Sequence, residues 1–296
     1  MNREATWAGI GTDISQCHTM EEVLTKSGLN YTVHKEEMFL ANGTKVPGKR
    51  CTVKDDGTPI GVVSSKYSVY QNQDAFEFIS EIPDIRYIKG GETHNGLVYL
   101  IGALPDLTVL GDTFTPNVIF QNSHNGIFTV KATICPLRIV CHNQFAYSFK
   151  HVRNTISIQH SRRLPEKVAQ AQKLIVDAAQ YMNGFTNTAE ELAALHITDT
   201  DRYAIMDAFF DSTREMTERQ QATMEEQRAF FERCYEEDDN TNFRGTAWGI
   251  INALSDFETH KAVKQTENVS ESRFMSVTFD TAAMQKMLSI ISDRVG

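Results

Sequence analysis

The amino-acid sequence changes character at Leu164-Pro165, and that switch restricts it to a fold with a β-rich half followed by a helical half. Upstream, short runs of β-branched and aromatic residues are cut by turn signals. Asn42-Gly43, Asp56-Gly57 and Asn125-Gly126 each place a glycine, which accepts positive φ, beside a residue that tolerates it; that pairing marks tight hairpins. Lys49 to Lys54 reads as a strand between the first two turns, and Gly61-Val62-Val63 continues the meander. Gly90-Gly91 opens a further β region in which Leu97 to Ile101 reads as a buried strand. Val118 to Gln121 and Phe128 to Ile134 read as the arms of a hairpin around Asn125-Gly126. Leu137 to Cys141 either extends that second arm past Pro136 or begins a helix through Phe149, and periodicity leaves both open. Two helical signals interrupt the strands. Thr19 and Glu22 form a capping box with Gly28 as a stop, and Gln73 to Ile79 places Phe76 and Ile79 on one face.

Downstream, Pro165 suits a first helical turn and Lys167 to Met182 is rich in Ala, Gln and Leu. Thr188-Ala189-Glu190-Glu191 reads as a new capping box. Asp201 to Phe210, Glu215 to Glu236, Thr246 to His260 and Thr281 to Ser292 read as further helices, with Glu236 to Asn240 as a solvated break. The expected class is α+β: a β-meander-rich N-terminal half packed with helices (1–163) and a largely helical C-terminal region (164–296), standing apart or sharing one core.

At 296 residues, 41% hydrophobic and 23% charged, the chain has the composition of an ordinary folded protein. No apolar run approaches the roughly 18–20 residues that span a bilayer, so no membrane partner is expected. The N-terminus lacks an apolar core behind a basic flank, and the five cysteines form no CxxC pair. Reduced thiols and a bacterial cytoplasm are the expectation.

Charge is distributed unevenly. From Lys131 to Lys173 the sequence holds eight Lys/Arg against a single acid, Glu166, so this window carries +7 and the rest −16 to give the net −9. Such a concentration points to a site for a polyanion. Phe145, Tyr147 and Phe149 alternate with polar residues and precede Lys150, His151 and Arg153. Rings against bases and cations against phosphates are how single-stranded nucleic acid is held. The candidate binding residues are Lys131, Arg138, Phe145, Tyr147, Lys150, Arg153, Arg162 and Arg163. The competing reading makes Phe145 and Phe149 core residues and the cations a solvated face.

Cys135, Cys141, His142, His151 and His160 lie close in sequence, but C-x5-C-H is not a usual zinc spacing. Apolar Ile134, Ile139 and Val140 beside them make the cysteines read as buried small side chains, so no metal and no cofactor is expected. There is no GxSxG, HExxH or P-loop, and no GxGxxG opening a helix. An enzyme is not expected. Asn122-Ser123-His124-Asn125-Gly126 reads as a structural hairpin tip, and Trp248, Ile251, Leu254 and Phe257 as a buried helical stripe.

Several of these segments together resemble a family of phage- and plasmid-encoded proteins carrying a domain of unknown function. The resemblance runs through Trp7 and Gly11-Thr12-Asp13, the Thr19 to Leu24 helix start, Gly61-Val62-Val63, and Tyr67-x-x-x-Gln71-Asn72-x-x-Ala75-Phe76. It continues through Asn122 to Gly126, Arg138 to Gln144, Ile158-Gln159-His160, and Thr246-Ala247-Trp248 with Asn252-Ala253 and Asp256-Phe257. It implies a mobile-element protein and brings no catalytic residues. The order of elements is also similar to that of phage single-strand annealing proteins, whose fold pairs a β-meander with a helix and assembles into rings or filaments. That likeness implies a homo-oligomer that holds single-stranded DNA in recombination or replication. The alternative is an accessory or counter-defence protein whose acidic surface docks on a host protein.

Overall fold

The computed structural model describes residues 9–128, 130–138, 143–144, 155–157, 164–211, 215–261, 269–279 and 281–295. In chain order, β1 (Thr12–Asp13) leads to α1 (Met20–Lys26) and then to a meander of β2 (Val33–Phe39), β3 (Lys45–Lys54) and β4 (Pro59–Ser64). α2 (Asn72–Phe76) runs directly into a 3-10 turn (Glu77–Glu81). It is followed by β5 (Arg86–Glu92), β6 (Leu97–Ala103), β7 (Leu107–Val109), β8 (Asp112–Ser123), β9 (Lys131–Arg138), β10 (Asn143–Gln144) and β11 (Thr155–Ser157). The later elements are helical: α3 (Leu164–Ala194), α4 (Asp199–Phe210), α5 (Glu218–Tyr235), a 3-10 turn (Asp238–Phe243), α6 (Ala247–His260), α7 (Val269–Phe279) and α8 (Ala282–Val295). The class is α+β, with antiparallel sheets first and helices after.

The three glycine turns join strands as their chemistry requires, and Gly43, Gly57 and Gly126 all take positive φ. The first two close the small sheet β2-β3-β4. The third joins β8 to β9 within the large sheet, whose order is β1-β5-β6-β8-β9-β10. β9 shares its outer edge between two short strands: β10 pairs at its Arg138 end and β11 at its Lys131 end. Leu137 therefore continues as strand through Arg138, paired to Phe114 and Thr115 of β8.

Alternation sorts the sheet's two faces. Val98, Leu100, Val118, Phe120, Ala132 and Ile134 point into the main core, which also contains Ala171, Leu174, Phe185, Trp248 and Leu254 of the helical half. The core is thus continuous across Leu164. Phe185 is the hinge of this packing: its ring lies 5.2 Å from Phe114 on the sheet and 5.8 Å from Trp248 on α6. The opposite face carries a smaller cluster of Leu97, Tyr99, Ile101, Ile119, Cys135 and Leu137 against Ile10 and Phe274.

α3 runs without a break through Thr188, so the capping box read at Thr188 to Glu191 is not a helix start. Ala189 and Leu192 are buried in the same core as Phe185, and that burial outweighs a local cap. Boxes form instead at Thr198/Asp201 and Thr217/Gln220. The stretch read as a solvated break is partly interior, because Asn240 is buried and donates to Tyr235 O (3.0 Å) and Gly249 O (3.1 Å). α6 is buried on nearly every side, and the backbone of the turn before it approaches so closely that a methyl group at Gly249 would run into the Phe243 carbonyl. Gly249→Ala is expected to destabilise the fold by about 1–3 kcal/mol through overpacking, read as a lower denaturant midpoint.

Candidate nucleic-acid interface

Of the eight residues singled out for a polyanion, two lie among the described residues. Phe145, Tyr147, Lys150, Arg153, Arg162 and Arg163 lie outside them, as do Cys141, His142, His151 and His160. Lys131 begins β9, opposite Gln121 on β8 and Ser157 on β11. It is half-buried, and burial pulls its ammonium below the usual lysine range. Arg153 stands two residues before β11 in the sequence, and Arg162-Arg163 stand immediately before α3.

Arg138, read from the sequence as one of the phosphate-holding cations, is buried and paired rather than open to solvent. Its side chain is 2% exposed and is fixed from inside the molecule. Its Nε donates to Asp112 Oδ2 at 2.8 Å, and Nη2 reaches the same oxygen at 2.6 Å. Nη2 also donates to the Asp239 carbonyl at 2.7 Å, and the guanidinium lies 5.7 Å from the Phe243 ring centre. The residue therefore clamps the end of β9 to the strand start at Asp112 and to the turn before α6. Its charge is needed to satisfy a buried fork of acceptors.

The Asn122 to Gly126 segment is the hairpin tip that its sequence suggests, yet two of its side chains turn inward. Asn122 and His124 are buried where the large sheet, the small sheet and α2 meet. Asn72 Nδ2 donates to Leu29 O at 3.1 Å, which leaves its Oδ1 to accept from Asn122 Nδ2 (3.1 Å) and His124 Nε2 (2.9 Å). That arrangement puts the imidazole proton on Nε2 and leaves Nδ1 as a buried acceptor without a hydrogen-bond partner. Burial lowers the His124 pKa to about 4, against a smaller upward pull from Glu92. Beside it, the Tyr31 ring stands edge-on at 5.9 Å and its hydroxyl donates to Glu92 Oε2 at 3.0 Å. Lys54 Nζ pairs with the same oxygen at 3.0 Å and sits 4.0 Å over the Tyr31 ring. Around this joint, Tyr67 OH donates to Ser123 O and the Gln71 amide bonds both N and O of Val33. The cluster welds the two sheets. Sequence reasoning treated the tip as turn chemistry, because a burial partner 52 residues away leaves no local trace.

The outer face of the large sheet carries a polar strip that sequence reasoning also missed. Asn117, Gln121 and Thr133 are buried there, and Asn117 Oδ1, Gln121 Oε1 and Thr133 Oγ1 have no hydrogen-bond partner. Their alternation with Ile119 and Cys135 on β8 and β9 was the available signal: polar residues at positions where a buried strand should be apolar.

The helical half contributes an open groove of about 690 Å3 between the ends of α4 and α6 and the start of α5, floored by Phe209, Phe210, Phe257 and Met224. Among the described residues no group of three or more His, Cys, Asp or Glu is placed to hold a metal ion. Among them, too, no helix is long and apolar enough to cross a membrane.

No curated protein and no solved structure matches this chain. One family model does, and it spans residues 59–278, from β4 through α7. That span takes in His124 with its partners Asn72 and Asn122, the clamp at Arg138, the polar strip and the whole cationic window, and it covers well over half of the chain, so the chain belongs to the family described as a domain of unknown function, DUF932.

Proposed function

We propose that this is a non-enzymatic single-stranded DNA-binding or annealing protein of a phage or plasmid, working as a homo-oligomer in recombination or replication. The observation that carries the reading is the concentration of cations from Lys131 to Lys173 in a protein of net charge −9. The described ends of that window support it. Lys131 lies beside β11, and Arg162-Arg163 immediately precede α3 in the sequence. Neither binding nor annealing breaks a covalent bond, so the function asks only for a surface that holds a single strand reversibly.

Binding to a fluorescent oligonucleotide tests the reading. The parent is expected to bind single strands with an affinity that falls steeply with salt, because each neutralised phosphate releases counterion. Arg153→Ala/Arg162→Ala/Arg163→Ala is expected to lose about tenfold or more in affinity. The slope of log K against log salt should fall by roughly two, at about 0.7 per single-strand phosphate. Equal binding by the triple variant removes these residues from the site. No binding by the parent at low salt removes the function.

A second reading, an accessory or counter-defence protein that binds a host protein, is favoured by α5. Its first turns, including Glu218, Glu225 and Glu226, are exposed almost all round and border the apolar groove. A helical stretch this polar leaves most of its surface available for a contact outside its own core. The same titration separates the two, since this reading requires no affinity for DNA.

A further inference from the structure

We infer that α7 is a displaceable cover over the outer face of the large sheet, and that the strip beneath it, Asn117, Gln121, Lys131 and Thr133, receives the bases of the single strand. The inference rests on the DNA-binding reading above and adds to it the surface and its control.

The register defines the strip. Gln121 opposes Lys131 and Ser157 in one row across β8, β9 and β11, Ile119 opposes Thr133 and Thr155 in the next, and Asn117 opposes Cys135 in a third. On the neighbouring strand Tyr99 stands beside Gln121. Two amides, a hydroxyl, an aromatic ring and a lysine thus share one face. Amide side chains match the paired donor and acceptor edges of bases, and a ring offers a stacking surface that tolerates any base.

Among the described residues, this face is covered by Ile10, Phe128 and α7. The α7 contact has an apolar centre, with the Phe274 ring 5.2 Å from Tyr99, and a hydrogen bond from His94 N to Glu271 Oε2 at 2.8 Å. On the same face of the sheet, Asn117 Oδ1, Gln121 Oε1 and Thr133 Oγ1 are buried without partners, and α7 carries Thr278 Oγ1 and Arg273 Nε in the same condition. Native interiors pair nearly all such groups. A permanent contact would pair these groups or replace them with apolar side chains. A contact that gives way to a ligand bearing N–H donors keeps them.

The test combines binding with hydrogen exchange on the full chain. Glu271→Ala, which removes the latch to His94, and Phe274→Ala, which empties the apolar centre, are each expected to tighten binding of a fluorescent oligothymidylate by about tenfold. Thermal melting checks that each variant is folded, and Glu271→Ala remains informative if Phe274→Ala is not. Gln121→Leu in the Glu271→Ala background is expected to reverse the gain while leaving the melting temperature unchanged or raised, an outcome that a purely structural glutamine would not produce. In the free parent, α7 amides are expected to exchange well ahead of those in β8 and β9. Identical affinities for parent and α7 variants overturn the cover and leave the DNA-binding reading standing. Absence of binding in every protein overturns both, and α7 amides as slow as those of β8 overturn the cover whatever the binding shows.

Discussion

Arg138→Ala is expected to destabilise the protein by about 3–5 kcal/mol, the range for breaking a buried ion pair by removing one partner. The guanidinium is 2% exposed and serves Asp112 and the Asp239 carbonyl together. Its loss leaves a carboxylate and a carbonyl facing a cavity. In a chain of 296 residues this should appear as a fall in melting temperature on the order of 10 °C. Arg138→Lys keeps the charge but loses the fork, so an intermediate loss is expected. Asp112→Ala should be costly alone and add little to Arg138→Ala, because the two share one interaction. The triple alanine variant at Arg153, Arg162 and Arg163 provides the contrast, since it is expected to change DNA binding and leave the melt in place. An Arg138→Ala variant that unfolds within 1 kcal/mol of the parent, read by denaturant titration, would return Arg138 to the list of surface cations.

Acidification should weaken the joint around His124. The folded protein holds this imidazole neutral down to about 4, whereas the unfolded chain takes up the proton near the ordinary 6.5. Between those values the unfolded state binds more protons, so stability rises with pH across that window. The contribution is complete above pH 6.5 and is lost as the pH falls towards 4, a change of roughly 3 kcal/mol. The cause is structural. Nε2 is committed to Asn72, Nδ1 faces no acceptor, and Glu92 is already engaged by Lys54 and Tyr31. Stability measured by urea titration from pH 7.5 to pH 4 should drop more steeply for the parent than for His124→Gln. Parallel curves for the two proteins would mean that His124 does not contribute this dependence.

Much of the fold was legible because it rests on local chemistry. The Thr19/Glu22 box is present in both directions, with Glu22 N donating to Thr19 Oγ1 at 3.2 Å and Glu22 Oε2 accepting from Thr19 N at 3.1 Å. The glycine turns needed only a residue and its neighbour. The errors came where a distant contact outweighed a local preference. Thr188 could cap a helix, yet α3 continues because Ala189 and Leu192 bury against the core. α7 escaped notice because Val269 to Phe279 has a weak stripe, and its burial depends on a sheet far away in sequence.

The candidate site follows the same division. A run of cations is visible in one dimension, and so the charge asymmetry between residues 131–173 and the rest belongs to the sequence alone. Which cation faces solvent does not. Arg138 is paired across 26 residues to Asp112 and across 101 to Asp239, and His124 across 52 to Asn72. Sequence by itself determined the class, the turns, most helices and where positive charge accumulates, because turn geometry, helix capping and charge count are properties of short segments. Tertiary structure alone decided that Arg138 is a clamp, that His124 is a buried neutral joint, and that Asn117, Gln121 and Thr133 form one strip. Burial and hydrogen-bond pairing are set by contacts between segments that the chain brings together only when it folds.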